Sequence, residues 1–136
     1  MARIMAIDFG KKRTGLAVTD PLQIIATGLT TVETPHLMNF LKDYFSREQV
    51  EKIIVGEPTN FDDSDTHATP LVREFAERLK KNFPSIPIQM VDERYTSKMA
   101  SQAMIDMGMK KNQRRNKALV DEIAATIILQ EYLQHR

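Results

Sequence analysis

Three short runs constrain this chain most: the apolar Ile4–Ile7 and Ile53–Val55, and Ile88–Val91, apolar but for Gln89. Runs of this length read as buried strands. Amphipathic stretches of helical period separate the later ones, and strands alternating with helices pair in parallel, because parallel neighbours need long crossovers. Each run is followed by acid: Asp8 after the first, Glu57 after the second, Asp92 and Glu93 after the third. A carboxylate at the tip of a buried strand raises the question of what it does there.

The rest of the chain fits around these runs. RIMAID (3–8) and TGLAVT (14–19) read as two strands joined by the turn FGKKR, with Gly10 and Gly15 supplying freedom in φ. Residues 23–32 read as a third strand, giving an antiparallel meander. HLMNFLKDYF (36–45) has helical spacing of its apolar residues, and Pro35 sits near its start. KIIVGEP (52–58) is the fourth strand, TNFDDSDTHATP a polar loop, and PLVREFAERLKKNF (70–83) the second helix. IQMV (88–91) is the fifth strand. SKMASQAMIDMG (97–108) is a third helix with Met99, Ala103, Met104 and Met107 aligned and Gly108 as its stop. KKNQRRNK (110–117) is a basic connector, and 118–136 a final amphipathic helix. The expected fold is α/β: a mixed five-stranded sheet with helices on both faces, in one domain spanning 1–136, a length that supports a sizeable core.

Composition narrows the chemistry. The chain has no cysteine, which removes disulfides, thiolate metal sites and cysteine nucleophiles, and accords with a cytoplasmic location. No apolar run approaches a membrane span, and Asp8 and Lys11 interrupt the only run a signal peptide could use. Net charge is +1, but unevenly spread: residues 1–20 carry +2, residues 95–117 carry +5, and residues 33–93 carry −5. Basic charge gathered at two places points to a polyanion.

Reactive groups in open α/β sheets collect at the carboxyl ends of parallel strands. Asp8, Glu57, Asp92 and Glu93 fall there, and Asp121 lies near the start of the last helix. Carboxylates brought together repel unless a cation neutralises them. All-oxygen ligands favour a hard ion, Mg²⁺ or Mn²⁺, singly or as a pair, with Asp8 as the bridging ligand. Each acid also has an ordinary role. Asp8 taken alone is a turn or cap residue, Glu93 a partner for Arg94 or Lys98, Asp121 a dipole-favoured helix-start acid, and Glu57 a solvated side chain. Lys110, Lys111, Arg114, Arg115 and Lys117 of the connector, with Lys11, Lys12, Arg13 and Arg94, form the candidate phosphate-backbone contacts. The connector could equally be a solvated loop. His36, His67 and His135 share no metal-ligand spacing and read as surface residues.

IDFGKKRTGLAVTD, IIVGEPTNFDDS, VDER (91–94) and LVDEIAATIILQEYL, in this order, resemble the YqgF-type family of pre-16S ribosomal RNA nucleases and Holliday junction resolvases over nearly the whole chain. The resemblance implies an RNase H-like fold and metal-dependent phosphodiester cleavage at the 5′ end of small-subunit precursor rRNA. By motif position it places the catalytic, metal-holding acids on Asp8, Glu93 and Asp121; Glu57 and Asp92, from the strand tips, are accessory candidates. The family's middle motif usually reads Gly-Leu-Pro with a following Asp-Gly. Here it is Gly56-Glu57-Pro58, then Asp62-Asp63, so Glu57 is an additional acid. The expected partner is RNA, precursor rRNA free or on the small ribosomal subunit, and no membrane. The expected state is a monomer or weak homodimer. Two alternatives stay open: resolution of branched DNA, and a non-catalytic nucleic-acid-binding module. An actin-like ATPase, whose first phosphate loop also carries Asp-Phe-Gly and Thr-Gly, needs two such domains and a longer chain.

Overall fold

A computed structural model describes residues 2–57, 69–92, 102–106, 108 and 116–136, with Thr69 and Asp92 described by their backbone alone. Strands β1 (Arg3–Asp8), β2 (Arg13–Thr19) and β3 (Ala26–Glu33) lead into helix α1 (Leu37–Arg47) through a 3-10 turn, Thr34–His36, that holds Pro35. Then follow β4 (Val50–Glu57), α2 (Thr69–Asn82), β5 (Ile88–Asp92) and α3 (Lys117–His135). The five strands form one sheet in the order β3-β2-β1-β4-β5. β1–β2 and β2–β3 are antiparallel, whereas β1–β4 and β4–β5 are parallel. This is the mixed sheet expected from hairpins first and crossovers later.

Alternation along β1 divides the core. Met5 and Ile7 face α1 and α2, meeting Leu37, Leu41, Val72, Phe75 and Leu79. Ile4 and Ala6 face α3, meeting Ala125, Ile128 and Leu129. Period-2 side chains on a strand covered on both sides must all be apolar, which is why IMAI reads as an unbroken run. Each fully buried Leu or Ile contributes about 1.5–3 kcal/mol relative to exposure. α3 departs from the expected single apolar stripe. Ala124 and Ile127 pack on Ala103, apart from the face that meets the sheet. A helix wedged between the sheet and the helical stretch 102–106 is apolar on two sides. Within that stretch Met104 is fully buried, and Gly108 follows with φ of 75°; Met99 and Met107 lie outside the described residues.

β3 starts three residues later than its β-branched sequence predicts. The cause is Asp20. Its carboxylate accepts the backbone N–H groups of Leu22, Ile24 and Ile25 at 3.0, 2.8 and 2.7 Å, so residues 20–25 form a side-chain-capped turn. Gln23 there has φ of 60°, uncommon for a residue other than glycine. Its side chain reaches Ala2 O at 3.0 Å and the Glu51 carboxylate, and Arg136 of α3's end bonds it in turn. The Ile25 bond first, then those of Ile24 and Leu22, hold the Asp20 carboxyl below its usual range despite partial desolvation.

Gly15 and Gly10 differ from expectation in kind. Neither has a positive φ. Gly15 sits mid-strand, where a Cβ would overlap the backbone carbonyl of Asp121 on α3. Gly28, on β3, lies under the Glu122 side chain in the same way. Both glycines are needed for close approach, not for a turn. Gly15→Ala is expected to cost at least about 1–3 kcal/mol, because two backbones must separate. Gly28→Ala should stay within about 1 kcal/mol of wild type, because only a flexible glutamate has to move. Urea denaturation of the two variants checks the contrast; equal midpoints would contradict it.

Candidate active site

The parallel strands β1, β4 and β5 end at one edge of the sheet. In register, Ile7 pairs with Val55 and Glu57 with Asp92, so the backbones of Asp8, Glu57 and Asp92 line up there. On its other side Asp8 pairs with Gly15 of β2. Gly15 carries the backbone of Asp121 directly upon it. Two acids 113 positions apart in sequence are thereby brought together: Asp8 by the strand, Asp121 by the helix resting on the strand's partner. Both are partly buried.

Several contacts fix the start of α3. Asn116 caps the helix, its side chain accepting the N–H of Leu119 at 3.3 Å. Thr31 Oγ1 of β3 donates to the carbonyl of Ala118. Arg13 Nε donates to Asp121 Oδ2 at 3.2 Å, with the two side chains 35% and 27% exposed. Burial pushes the Asp121 carboxyl above its usual range, while the Arg13 hydrogen bond and the charges of Arg13 and Lys117 pull it back. Desolvation wins, so ionised Asp121 sits at a net cost that a further cation would relieve.

The β1–β2 turn is equally fixed. Thr34 Oγ1 donates to Gly10 O at 2.6 Å, and Thr34 N–H donates to Lys12 O at 2.9 Å. A Cβ on Gly10 would overlap the carbonyl of Arg13, so the turn closes this tightly only with glycine. Lys11 and Lys12 therefore stand exposed on a pinned loop beside Asp8, while Arg13 is turned to Asp121. Lys117 is exposed at the first position of α3.

Glu57 is at the edge but engaged. Arg73 of α2 donates to its Oε1 through Nε at 2.9 Å and Nη2 at 2.7 Å. The sequence reading did not single out Arg73, and nothing local marks it, because the pair forms only once α2 crosses back over β4. His36 lies 3.8 Å from Glu33 and His135 3.4 Å from Glu131, both on the surface as expected. Glu93, Arg94, Lys110, Lys111, Arg114 and Arg115 lie outside the described residues, as do His67 and the side chain of Asp92. Among the described residues no three His, Cys, Asp or Glu side chains cluster in a way that could hold a metal, and no helix is long and apolar enough to cross a membrane.

The donors present nonetheless fit a hard divalent ion. They are carboxylate oxygens on two rigid elements, and the guanidinium of Arg13 already occupies one of them as a cation. VDER supplies Glu93 as the next residue after the backbone-described Asp92.

Comparison with known proteins adds the following. The model of a family described as "RuvX: Holliday junction resolvase" matches residues 2–135. A protein of Christiangramia forsetii is 59% identical over 133 residues, covering 98% of each chain. One of Flavobacterium psychrophilum is 54% identical over 136 residues, covering 100% of this chain and 99% of its own. Both carry the name "Putative pre-16S rRNA nuclease". Among solved structures, T. thermophilus RuvC in complex with Holliday junction substrate superposes with a TM-score of 0.56 at 18% identity, covering 98% of this chain and 96% of that one. A second Thermus thermophilus RuvC structure gives 0.50 at 16%, covering 97% and 96%. At such identities the likeness establishes the fold, which is RNase H-like, as the sequence motifs imply.

The elevated Asp121 carboxyl has a consequence for stability. The unfolded chain ionises this group near its usual value of 3.8, while the folded chain ionises it only at higher pH. A raised acid contributes stability below the unfolded value and loses it as pH rises through the folded value. Asp121→Asn is thus expected to gain stability over wild type at pH 7, with the gain shrinking toward pH 4. Urea titrations at the two pH values measure it; a gain that is larger at pH 4 would refute the dominance of burial.

Proposed function

The chain belongs to the RuvX family of Holliday junction resolvases, and from that premise we propose that it is a metal-dependent endonuclease that processes the 5′ end of precursor 16S ribosomal RNA in the cytoplasm. The observation that carries this reading is the seating of Asp121 on Gly15, the strand partner of Asp8. It sets the backbones of two acids, on separate rigid elements, near the sheet edge where α/β chemistry collects.

In this proposal residues 1–136 act as one nuclease domain, with Asp8, Glu93 and Asp121 as the residues that would hold one or two Mg²⁺ or Mn²⁺ ions. Such ions, when bound, lower the pKa of water and stabilise both oxygens of an in-line displacement. The chain's own contribution is placement. Asp8 is fixed at the end of β1 by its pairing with Gly15, and Asp121 by the cap and the glycine beneath it. Lys11, Lys12 and Lys117 stand exposed around the pair and attract the phosphate backbone without reading its sequence. Arg94, Lys110, Lys111, Arg114 and Arg115 extend that basic surface in the proposal. Arg13 offsets part of the cost of ionised Asp121. Glu57 serves to hold α2 through Arg73 rather than to bind metal, and Asp92 remains an accessory candidate.

A second reading, cleavage of branched DNA, has support in the family's description and in the fold shared with RuvC. A 5′-extended 16S transcript and a four-way DNA junction, each with Mg²⁺ or Mn²⁺, separate the two. Wild type should cut the RNA, and Asp8→Asn or Asp121→Asn should lose at least about 100-fold, the upper end of what outer-shell changes alone cost. Glu57→Gln should stay within a few-fold of wild type. Equal cleavage by Asp8→Asn sinks the assignment; faster cutting of the junction transfers it to resolution. Salt-sensitive binding without turnover would leave only the non-catalytic module.

A further inference from the structure

Just past the end of β1, on the α2 side of the sheet, the surface carries a cavity of whose lining the cleavage proposal uses only Lys11. Phe9 follows Asp8 directly and stacks on Phe75 of α2, with ring centroids 4.4 Å apart and planes at 18°. Phe75 is buried at 2% exposure, whereas Phe9 stays partly exposed. Leu71, Glu74, Phe75 and Arg78 follow at helical spacing, so α2 presents one face to the turn. With Phe9 and Lys11 that face lines an open depression of about 210 Å³. Drug-sized ligands take roughly 300–1,000 Å³, so this space suits a single ring system. Its lining is also mixed in a specific way: an aromatic floor, an exposed apolar rim at Leu71, two cations and one carboxylate.

We propose that this cavity is a subsite for one unstacked nucleobase of the substrate strand, belonging to a nucleotide that adjoins the phosphate at Asp8. The proposal rests on the nuclease reading for the identity of that phosphate. Unpaired bases are held by stacking on aromatic side chains, with cations tracking the backbone on either side. Phe9 supplies the stack, and the buried Phe75 beneath keeps its ring in place. Lys11 and Arg78 complement the flanking phosphates. Glu74 accepts from a base amino or ring N–H group. A duplex would keep the base in its own stack, so the subsite selects single-stranded or splayed segments.

The test is binding of a fluorescein-labelled single-stranded RNA, read by anisotropy at low salt in EDTA so that nothing is cut. A series of strands carries one abasic nucleotide at each successive position. One position should lose affinity by roughly 5- to 150-fold, the range of one base–aromatic stack. Phe9→Leu, which keeps an apolar side chain on Phe75, should weaken the intact strand equally and abolish the penalty at that position. No such position, or a penalty that survives in Phe9→Leu, overturns the proposal. Should Phe9→Leu not fold, Leu71→Trp places the chain's only tryptophan at the exposed rim. Its emission should be quenched by the intact strand and not by the abasic one, and equal quenching also overturns the subsite. Failure of the nuclease reading shows separately, as wild type that cuts nothing in Mg²⁺ or Mn²⁺ while the abasic penalty persists in EDTA.

Discussion

The first turns of α3 rest on two glycines, and the geometry of the acid pair depends on that contact. A helix normally stands off a sheet by the length of the side chains between them. At Gly15 there is no side chain, and the Asp121 carbonyl occupies the space a Cβ would take. The close approach lowers α3 onto β2 at the residue that pairs with Asp8. Any larger residue at 15 would lift the helix and carry Asp121 away from the strand tip, although every ladder bond could remain.

That arrangement sets two acid-bearing backbone positions side by side, and cations stand close to the acids at this edge. Arg13 leaves the strand's first position and bonds Asp121, with Lys117 one helical turn back. Glu57, the third acid at the edge, is drawn off by Arg73. Neither pair is deeply buried, so each contributes modestly to stability by itself. Their effect is on where the Asp121 and Glu57 carboxylates point. The loop bearing Lys11 and Lys12 is held separately, through Thr34, so the basic flank of the edge does not depend on the ion pairs.

Much of the fold was legible because strand and helix periods are local. Ile4–Ile7 had to be a doubly covered strand, and the later alternation of strands and helices had to give parallel pairing. Misreadings came where a single side chain overrode propensity. Asp20 captured three backbone N–H groups and kept β-branched Ile24 and Ile25 out of β3. The glycines of FGKKRTG were read as turn residues, but a helix distant in sequence is what requires Gly15. The apolar excess of α3 was read as one stripe because its second neighbour, the stretch 102–106, is not visible in the helix's own periodicity.

The sequence by itself determined the elements, their order, and the presence of an acid at the end of each parallel strand and near the last helix's start. Those follow from periodicity, from the need of parallel strands for crossovers, and from motif spacing. Only the tertiary structure decided which acids meet and which are occupied. Asp8 and Asp121 are joined through Gly15, Glu57 is claimed by Arg73, and Phe9 is laid on Phe75 to wall a cavity beside the strand tip. Contacts between residues far apart in sequence leave no local trace, because they are set by register and by how closely a helix can approach a sheet.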